Sequence, residues 1–589
     1  MLELKEVHYT LQRDGADIPL LRDVSITFKP GHFVAIVGPS GCGKTTLLKV
    51  IAGLQFETSG NIYWRGEDLG EDGEIEPQEL GYVPQFSIAY DHLTVEECVE
   101  TAAKLRTRAG NDEIYEIADR VIAEVGMESM REKRVSVLSG GQKRRLGLAM
   151  ELVSRPHLLL CDEVTSGLDP QSELDIVHLL HQLSLHDDRI VINVTHSLSN
   201  LDLYDSVLVM YEGHVVYHGP PEAMPHYFSV EKPEAIYACL AKRSAPDWHE
   251  SWKKYNDAYY AKLDSRLRGR TAPAKAAAGE AAGTDADTPP AESPAKSAEA
   301  STHIPSGVFR QFFMLFVRRW RLFFRDRVQL LLHAALLFGF PILVVIFATD
   351  GLPAMPDQGI PDGMSLMDAA QRTIDVVEKQ VSIGGLISGL VMFQVILLTL
   401  MGSNNSAREI ASERLIYEKE RLGGLRPMAY LASKVCFLAV LVLAQSVWMG
   451  VFVNHFTGLP GSLSDKISML ILVNGAMTAV CLAISANMKS PEQASLLSIY
   501  LVGFQLPLSG AVLALPATLE KVLQPLIAAY WSWSGQLSSM RPSVYFVGIN
   551  QSVPTTVVSS TDVSSAVLMG HILCGLVVAW IGCKRHRWD

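Results

Sequence analysis

Residues 38–46 read Gly-Pro-Ser-Gly-Cys-Gly-Lys-Thr-Thr. The apolar run 33–37 before them predicts a buried strand, and the run 47–52 after them predicts a helix. In this context glycines let successive backbone N–H groups face phosphate oxygens, and the helix N-terminus favours an anion. Lys44 would bring positive charge to the phosphates, and the Thr45 hydroxyl would ligate Mg²⁺. The stretch therefore predicts a nucleoside triphosphate site built from Gly38, Pro39, Ser40, Gly41, Cys42, Gly43, Lys44, Thr45 and Thr46.

Further motifs follow this loop in chain order. A glutamine, Gln85, follows a short strand, and the turn Ser139, Gly140, Gly141, Gln142 opens an Arg/Leu-rich helix. An apolar strand ends in Asp162 and Glu163, and another ends at His196. Over about residues 1–230, the set resembles the ATP-binding-cassette (ABC) ATPase family. The resemblance implies an α/β P-loop domain that uses ATP and Mg²⁺.

Each residue type suits phosphoryl transfer, which needs mostly positioning and charge neutralisation. Asp162 would hold Mg²⁺, and Glu163 would act as general base on the attacking water. His196 is similar to the switch histidine of the family, which would steady the γ-phosphate, and Gln85 is similar to its Q-loop glutamine. The expected catalytic residues are therefore Glu163, His196 and Gln85, and the expected Mg²⁺ ligands are Thr45, Gln85 and Asp162.

The resemblance also implies a partner chain. The signature residues Ser139, Gly140, Gly141 and Gln142 would bind a phosphate in trans, across a dimer, and Asp169 resembles the D-loop aspartate. Tyr9 has two readings: it stacks on adenine, or it is a core tyrosine of its strand.

Composition limits the remaining possibilities. The 589 residues leave room for more than one domain, and 48% hydrophobic content is high for a soluble protein. The net charge is −12, so the chain lacks the excess of basic residues that is typical of nucleic-acid binding, and no nucleic-acid partner is expected. The eight cysteines are scattered without a CxxC pair, which argues against a metal site and a dense disulfide framework.

Changes in composition divide the chain into segments on the C-terminal side of the ATPase domain. The expected segments are an ATPase domain at 1–230, its C-terminal extension at 231–270, a disordered Ala/Pro-rich linker at 271–302, an amphipathic interfacial helix at 303–327 and a membrane domain at 328–589. Tyr217-His218-Gly219-Pro220 and Tyr227-Phe228 resemble a mark of the G subfamily of ABC transporters, the White/sterol-exporter type. In that subfamily the ATPase precedes an ABC-2 type membrane domain.

Six apolar runs make up the membrane domain, and most reach the roughly 20 residues that span hydrocarbon. They are 328–349, 382–402, 432–455, 466–488, 493–516 and 563–583. Arginines precede the first run and recur in the 403–431 loop, whereas the first loop is acidic. This pattern predicts a multi-pass protein of the cell membrane with the ATPase domain and both termini cytosolic. That requires an even number of spans, so the apolar piece 523–533 would only dip into the outer leaflet or cap the pore.

Two groups of residues in the membrane domain are expected to act in transport. The charged segment after the second run, with Glu409, Glu413 and Arg414, resembles the G-subfamily element that passes ATPase motion to the membrane helices; the alternative is a solvated amphipathic helix. By the same resemblance, Phe393, Gln394, Leu506 and Leu508 would line a substrate cavity between the second and fifth spans; the alternative is that they face lipid or packing neighbours.

The sequence thus predicts an α/β P-loop ABC ATPase domain followed by an all-α six-span transmembrane domain. One loop and one signature per chain imply a half-transporter that dimerises with a second copy or with a paralogous half-transporter. The resemblance implies ATP-driven export, or movement between leaflets, of an amphipathic or hydrophobic substrate. Alternatives are a polysaccharide or lipid-linked glycan exporter, or a non-transporting ATPase that transmits force across the membrane.

Overall fold

The computed structural model describes residues 1–585 except 14, 74, 86–87, 186, 281–305, 350, 358–364 and 512–515. The chain divides into two compact units. The first comprises Met1–Gln311 and Ile416–Leu425, and the second comprises Phe312–Leu415 and Arg426–Arg587.

Two β-sheets organise the first unit. Their strands are β1 (Leu2–Arg13), β2 (Ala16–Phe28), β3 (Phe33–Val37), β4 (Ser59–Trp64), β5 (Glu67–Asp68), β6 (Leu80–Val83), β7 (Leu158–Asp162), β8 (Ile190–Val194), β9 (Ser206–Tyr211) and β10 (His214–Gly219). The smaller sheet has the order β2-β1-β4-β5 and is antiparallel. The larger has the order β10-β9-β3-β8-β7-β6, and only β10 runs antiparallel to its neighbour.

The larger sheet forms the core of this unit. Every residue of β3, β7 and β8 is buried, as expected for parallel strands covered on both faces. In the order β3-β8-β7-β6, the carboxyl ends of four adjacent strands meet at one edge. This edge is where an open α/β sheet binds its ligands.

Helices cover the sheets and extend the first unit. They are α1 (Lys44–Ile51), α2 (Leu69–Asp72), α3 (Val95–Arg106), α4 (Asn111–Glu124), α5 (Gly140–Leu152), α6 (Pro170–Leu185), α7 (Met224–Phe228), α8 (Ile236–Leu240) and α9 (Ala245–Glu280). Aromatic rings of Tyr217, Tyr227, Trp252 and Tyr259 pack α9 against β10 and α7. Helix α9 enters the segment 271–302 that the sequence assigns to the linker, because residues 271–280 include five alanines and alanine is the strongest helix former. Residues 281–302 of the predicted linker lie outside the described residues.

Helices make up the rest of the described chain. They are α10 (Val308–Arg325), α11 (Arg327–Val345), α12 (Leu366–Ser406), α13 (Arg414–Leu422), α14 (Pro427–Thr457), α15 (Leu463–Asn487), α16 (Pro491–Gln505), α17 (Ala517–Leu523), α18 (Ala528–Ser539), α19 (Phe546–Ser552) and α20 (Thr561–Lys584). Most of α13 belongs to the first unit. Helix α10 lies within the predicted interfacial helix.

Among the described residues, five helices are long and apolar enough to cross a membrane: α11, α12, α14, α15 and α20. They coincide with five of the six predicted spans and confirm a mostly helical membrane domain. Small residues let them approach closely: a Cβ added to Gly575 of α20 would lie 2.7 Å from the Ala479 carbonyl carbon of α15.

The fifth predicted span, 493–516, differs from the prediction. Helix α16 has 15 residues and ends at Gln505, and a short 3₁₀ turn begins at Pro507. Proline cannot donate the hydrogen bond that would continue the helix. At 1.5 Å per residue, α16 spans about 22 Å, less than the roughly 30 Å of hydrocarbon.

Candidate functional site

The loop 38–46 joins β3 to α1 at the carboxyl edge of the larger sheet. Gly38, Gly41 and Gly43 have positive φ angles of 154°, 78° and 101°. A Cβ on Gly38 would lie 2.3 Å from the Met210 carbonyl oxygen, and one on Gly43 would lie 2.6 Å from that of Leu20. The loop therefore folds tightly against its neighbours only with glycine at these positions.

Lys44 lies buried beneath the loop. Its Nζ donates hydrogen bonds of 2.9 Å to the carbonyl oxygens of both Gly38 and Pro39. A buried ammonium group needs such acceptors. Phosphate oxygens are stronger acceptors for the same donors, so the ammonium is held where a phosphate would reach it.

Thr45 and Asp162 form the oxygen pair beside the loop. Thr45 Oγ1 donates to Asp162 Oδ1 at 2.9 Å, and the Tyr82 hydroxyl lies 3.5 Å from Asp162 Oδ2. Burial, together with the charge of Glu163, raises the pKa of Asp162, and the hydrogen bond from Thr45 opposes this shift. A hydroxyl and a carboxylate at a strand end match the oxygen ligands of Mg²⁺, and the cation would offset the cost of burying the carboxylate. The residues fit the ion, and Thr45 and Asp162 would hold it.

Glu163 lies at the centre of the residues that the sequence predicts to be catalytic. Its Oε2 accepts from Gln85 Nε2 at 2.7 Å, and its Oε1 lies 2.7 Å from His196 Nε2. Gln85 follows β6, Glu163 follows β7 and His196 follows β8, so three strand ends bring these side chains together. Glu163 has a φ angle of +50°, which is uncommon for a residue with a side chain.

Gln85 has a different neighbour from the one that the sequence assigns to it. Its amide nitrogen donates to Glu163, whereas the expected Mg²⁺ ligands Thr45 and Asp162 bond to each other. The role of Gln85 as a metal ligand therefore stays a prediction.

The signature residues begin α5. Ser139 caps this helix: its hydroxyl accepts from Gln142 N at 3.3 Å, and its own N–H donates to Gln142 Oε1 at 3.0 Å. The nearest neighbours of a Cβ on Gly140 or Gly141 are Leu168 and Ser172, at 3.7 Å. The signature thus lies beside the segment of Asp169 in its own chain, and its backbone N–H groups point from a helix N-terminus, which favours anions.

Asp169 caps the start of α6. Its carboxylate accepts from Ser172 N at 3.0 Å, and hydrogen bonds from Ser172 lower its pKa. Tyr9 lies half-buried on β1, paired with Leu21 of β2. Both of the readings of Tyr9 remain open.

Sequence reasoning missed a buried ionic cluster in the first unit. Glu151, in the last turn of α5, forms an ion pair with Arg106 of α3 and lies 3.2 Å from Lys419 Nζ of α13. Glu151 Oε2 also accepts from the backbone N–H of Tyr82, on the strand that leads to Gln85. The sequence feature that indicates this cluster is Glu151 itself, a single carboxylate among the apolar residues of α5.

The three residues expected to couple the ATPase to the membrane helices lie in the second unit. Arg319 of α10 binds both oxygens of Glu409, at 2.7 Å for Oε2, and Lys434 of α14 binds Glu409 and Glu413. Arg414 donates to the carbonyl oxygens of Ala486, Gly582 and Arg585, at 3.0 to 3.3 Å. These side chains are part of the buried packing of that unit, unlike the side chains of a solvated helix.

The expected substrate residues have separate neighbours. Gln394 is buried and its Nε2 lies 3.5 Å from the Met449 carbonyl oxygen, while the Phe393 ring packs edge-on against Phe347. Leu508 packs against the core of the second unit, and Leu506 is exposed. A shared cavity for the four side chains remains a prediction.

Comparison with known proteins assigns both units. The family model described as "ABC transporter" matches residues 21–166, and the model described as "ABC-2 type transporter" matches residues 310–538. The ABC transporter ATP-binding/permease protein Rv1747 of Mycobacterium tuberculosis is 31% identical over 523 residues, which cover 87% of this chain and 54% of that protein. This chain therefore spans about half the length of that relative.

Two further relatives match shorter parts of the chain. The methionine import ATP-binding protein MetN 2 of Pseudomonas entomophila is 33% identical over 37% of this chain and 67% of its own length. ABC transporter G family member 13 of Arabidopsis thaliana is 32% identical over 40% of this chain and 35% of its own length.

Proposed function

We propose that this chain, which belongs to the ABC transporter family and carries a membrane domain of the ABC-2 type, is a half-transporter that hydrolyses ATP to move an amphipathic or hydrophobic substrate across the cell membrane or between its leaflets. The observation that carries the proposal is the convergence of Gln85 and His196 on Glu163, beside the Thr45–Asp162 pair and the phosphate loop. A loop, a metal-binding pair and a general base in one place are the parts that ATP hydrolysis needs.

The residues divide the chemistry among them. The loop N–H groups and Lys44 would bind the β- and γ-phosphates, and Thr45 and Asp162 would hold Mg²⁺, which neutralises charge on the phosphate oxygens when bound. Glu163 would take a proton from the attacking water, and Gln85 and His196 would hold its carboxylate in place. His196 would also stabilise the charge that develops on the γ-phosphate.

A dimer would complete the site. Each chain carries one phosphate loop and one signature, and the signature Ser139–Gln142 turn presents the N-terminal N–H groups of α5. We expect this turn to bind the γ-phosphate held by a second copy, or by a paralogous half-transporter, so that ATP binding draws two ATPase units together.

The membrane domain supports transport and leaves the substrate open. Helices long enough to span a membrane accompany the ATPase unit in one chain, as the ATP-binding/permease name of the Mycobacterium relative also indicates for that protein. The resemblance to the G subfamily favours export of an amphipathic cargo. We place both termini and the ATPase unit on the cytosolic side.

ATP hydrolysis by the full chain in lipid nanodiscs tests the proposal. Glu163→Gln should lower kcat by about 10²- to 10⁴-fold, the contribution typical of a general base. The matched control is Glu116→Gln, an exposed carboxylate of α4, which should keep the wild-type rate. Stimulation of wild type by one class of lipids, sterols or amphipathic drugs would identify the cargo.

Other outcomes would redirect the proposal. Hydrolysis that is unaffected by Glu163→Gln would contradict the catalytic assignment. Hydrolysis that depends on Glu163, together with transport of a lipid-linked glycan instead of any amphipathic compound, would favour the glycan exporter. Hydrolysis without transport of any of these compounds would favour a force-transmitting ATPase.

A further inference from the structure

About the first four turns of α12 are exposed. From Ser365 to Lys379 every side chain is exposed or half-exposed, and Gln380 is the first buried one. The Ser365 hydroxyl accepts from Asp368 N at 3.2 Å and caps the helix, and Gln371 Nε2 donates to Asp375 at 3.0 Å. The segment is therefore a regular, capped helix whose side chains are mostly exposed in the single chain.

Apolar residues on this segment follow a heptad pattern. Met367, Ala370, Ile374, Val377 and Val381 are spaced three, four, three and four residues apart, which is the a/d spacing of a coiled coil. Met367 is 85% exposed, Ile374 59% and Val377 40%. An apolar stripe of this kind normally lies against another helix, so the exposure marks an interface that a single chain leaves open.

The opposite face of the same helix carries charged residues and is suited to contact with water. Asp368 precedes Arg372 by four residues, and Asp375 precedes Lys379 by four. Acidic residues four positions before basic ones stabilise a solvated helix face. In the heptad that begins at Met367, these four residues occupy positions b and f, the ones farthest from a partner helix.

The length of α12 argues against lipid as the cover of the stripe. The helix has 41 residues, about 61 Å at 1.5 Å per residue, twice the roughly 30 Å of hydrocarbon. The predicted span 382–402 already fills that thickness. Because the helix is continuous, the segment before residue 382 projects beyond the hydrocarbon.

We propose that residues 367–381 pair with the same residues of a second copy and form a short parallel two-stranded coiled coil outside the membrane. The inference rests on the proposed dimer and adds to it an interface separate from the ATPase units. Two copies inserted in the same orientation present the helix in the same direction, so each a and d residue meets its equivalent. Glu378, at position e, faces Thr373 at position g of the second copy, which avoids a like-charge contact.

Two heptads are too short to pair alone. The membrane dimer provides the high local concentration that makes such a weak interface form. The coil would hold the outer ends of the two α12 helices together while the segments below them move during the transport cycle.

Cysteine cross-linking of the full chain in native membranes tests the pairing. Met367→Cys and Ile374→Cys, both at position a, should each give a disulfide-linked dimer after mild oxidation, since equivalent a residues meet only in a parallel pair. Arg372→Cys, on the opposite face, is the matched control and should cross-link at least about tenfold less. Wild type measures the background from the eight native cysteines.

A second variant and a mass measurement separate the possible failures. Ile374→Asp placed in the Met367→Cys chain should abolish the cross-link, while Arg372→Asp in the same chain should preserve it. A dimeric mass in nanodiscs without cross-linking at 367 and 374 would overturn the coiled coil and leave the half-transporter dimer intact. A monomeric mass with ATP bound would overturn both. Equal cross-linking at 367, 372 and 374 would indicate random collision and overturn the pairing.

Discussion

Lys419 Nζ lies 3.2 Å from Glu151 Oε1, and both side chains are buried within the first unit. Arg106 binds the other oxygen of the same carboxylate, and the backbone N–H of Tyr82 donates to it at 3.3 Å. One carboxylate thus balances two buried cations and joins α3, α5 and α13 to the strand before Gln85. The Glu151 side chain therefore links the strand before Gln85 directly to α13, and a displacement of one would shift the other.

Glu151→Gln should destabilise this part of the first unit by about 3–5 kcal/mol, because it leaves two buried cations without a counter-ion. Lys419→Met should cost less, since Glu151 keeps Arg106 as its partner. Hydrogen–deuterium exchange of α5 in the full chain measures both effects. Glu116→Gln, an exposed carboxylate, is the control. Unchanged protection of α5 in Glu151→Gln would show that the cluster contributes nothing to stability.

His196→Ala should lower kcat for ATP hydrolysis by about 10²-fold or more and leave the Kd for ATP nearly unchanged. The reason is that its Nε2 contacts Glu163, whereas the loop and Lys44 are the residues expected to bind the phosphates. Single-turnover hydrolysis and binding of a fluorescent ATP analogue separate the two quantities. His178→Ala, an exposed histidine of α6, should behave as wild type. A variant that hydrolyses normally but binds ATP weakly would make His196 a binding residue.

The sequence predicted the parts of the site that are contiguous in the chain. The conformation of a loop, a strand end or a helix N-terminus is set by neighbouring residues in the chain. Residues 38–46, Glu163 and Ser139 could therefore be recognised as sequence motifs. The family resemblance and the fold class are confirmed. The contact of Glu151 with Arg106 and Lys419 joins positions up to several hundred residues apart, and no local pattern encodes it.

The membrane domain shows the same limit. The bounds of an apolar run differ from the bounds of the helix that contains it. A proline can end the helix inside the run, and a helix can continue through charged residues outside the run. Helix α16 ends before Pro507, within the fifth predicted span, and the charged residues between 368 and 379 exclude the N-terminal part of α12 from the apolar run 382–402. The heptad spacing of Met367, Ala370 and Ile374 was present in the sequence, but only the exposure of these side chains gives it a meaning.

His218 should make the first unit less stable in acid. Its side chain is buried between Ser206 and Tyr260, and burial lowers its pKa from 6.5 to about 4. The unfolded chain therefore binds more protons between these values, so stability that is present above pH 6.5 is lost as the pH falls towards 4. The loss from this group amounts to at most about 3 kcal/mol.

His218→Gln should flatten this pH dependence, because glutamine can still hydrogen-bond to Ser206 and does not titrate. The thermal midpoint of the first unit, measured from pH 7 to pH 5 in the full chain, should fall less steeply in this variant than in wild type. His178→Gln, an exposed histidine, should keep the wild-type slope. Parallel curves for His218→Gln and wild type would show that His218 titrates normally in the folded protein.

Glu409→Gln should destabilise the second unit, because Glu409 is the shared anion of Arg319 and Lys434. Arg319 also lies 4.3 Å from the Phe437 ring centroid, so its position is fixed by packing and it cannot turn to water. Lys434 keeps Glu413 as a partner in this variant, whereas Arg319 loses both of its hydrogen bonds to Glu409. Removing one partner of a buried ion pair costs about 3–5 kcal/mol. Adding Arg319→Met to Glu409→Gln removes the cation that has lost this carboxylate and should restore part of the thermal midpoint measured in nanodiscs. Asp562→Asn, an exposed carboxylate at the start of α20, should cost at most about 1 kcal/mol. If the double variant is less stable than Glu409→Gln alone, Arg319 stabilises the unit through contacts other than this carboxylate.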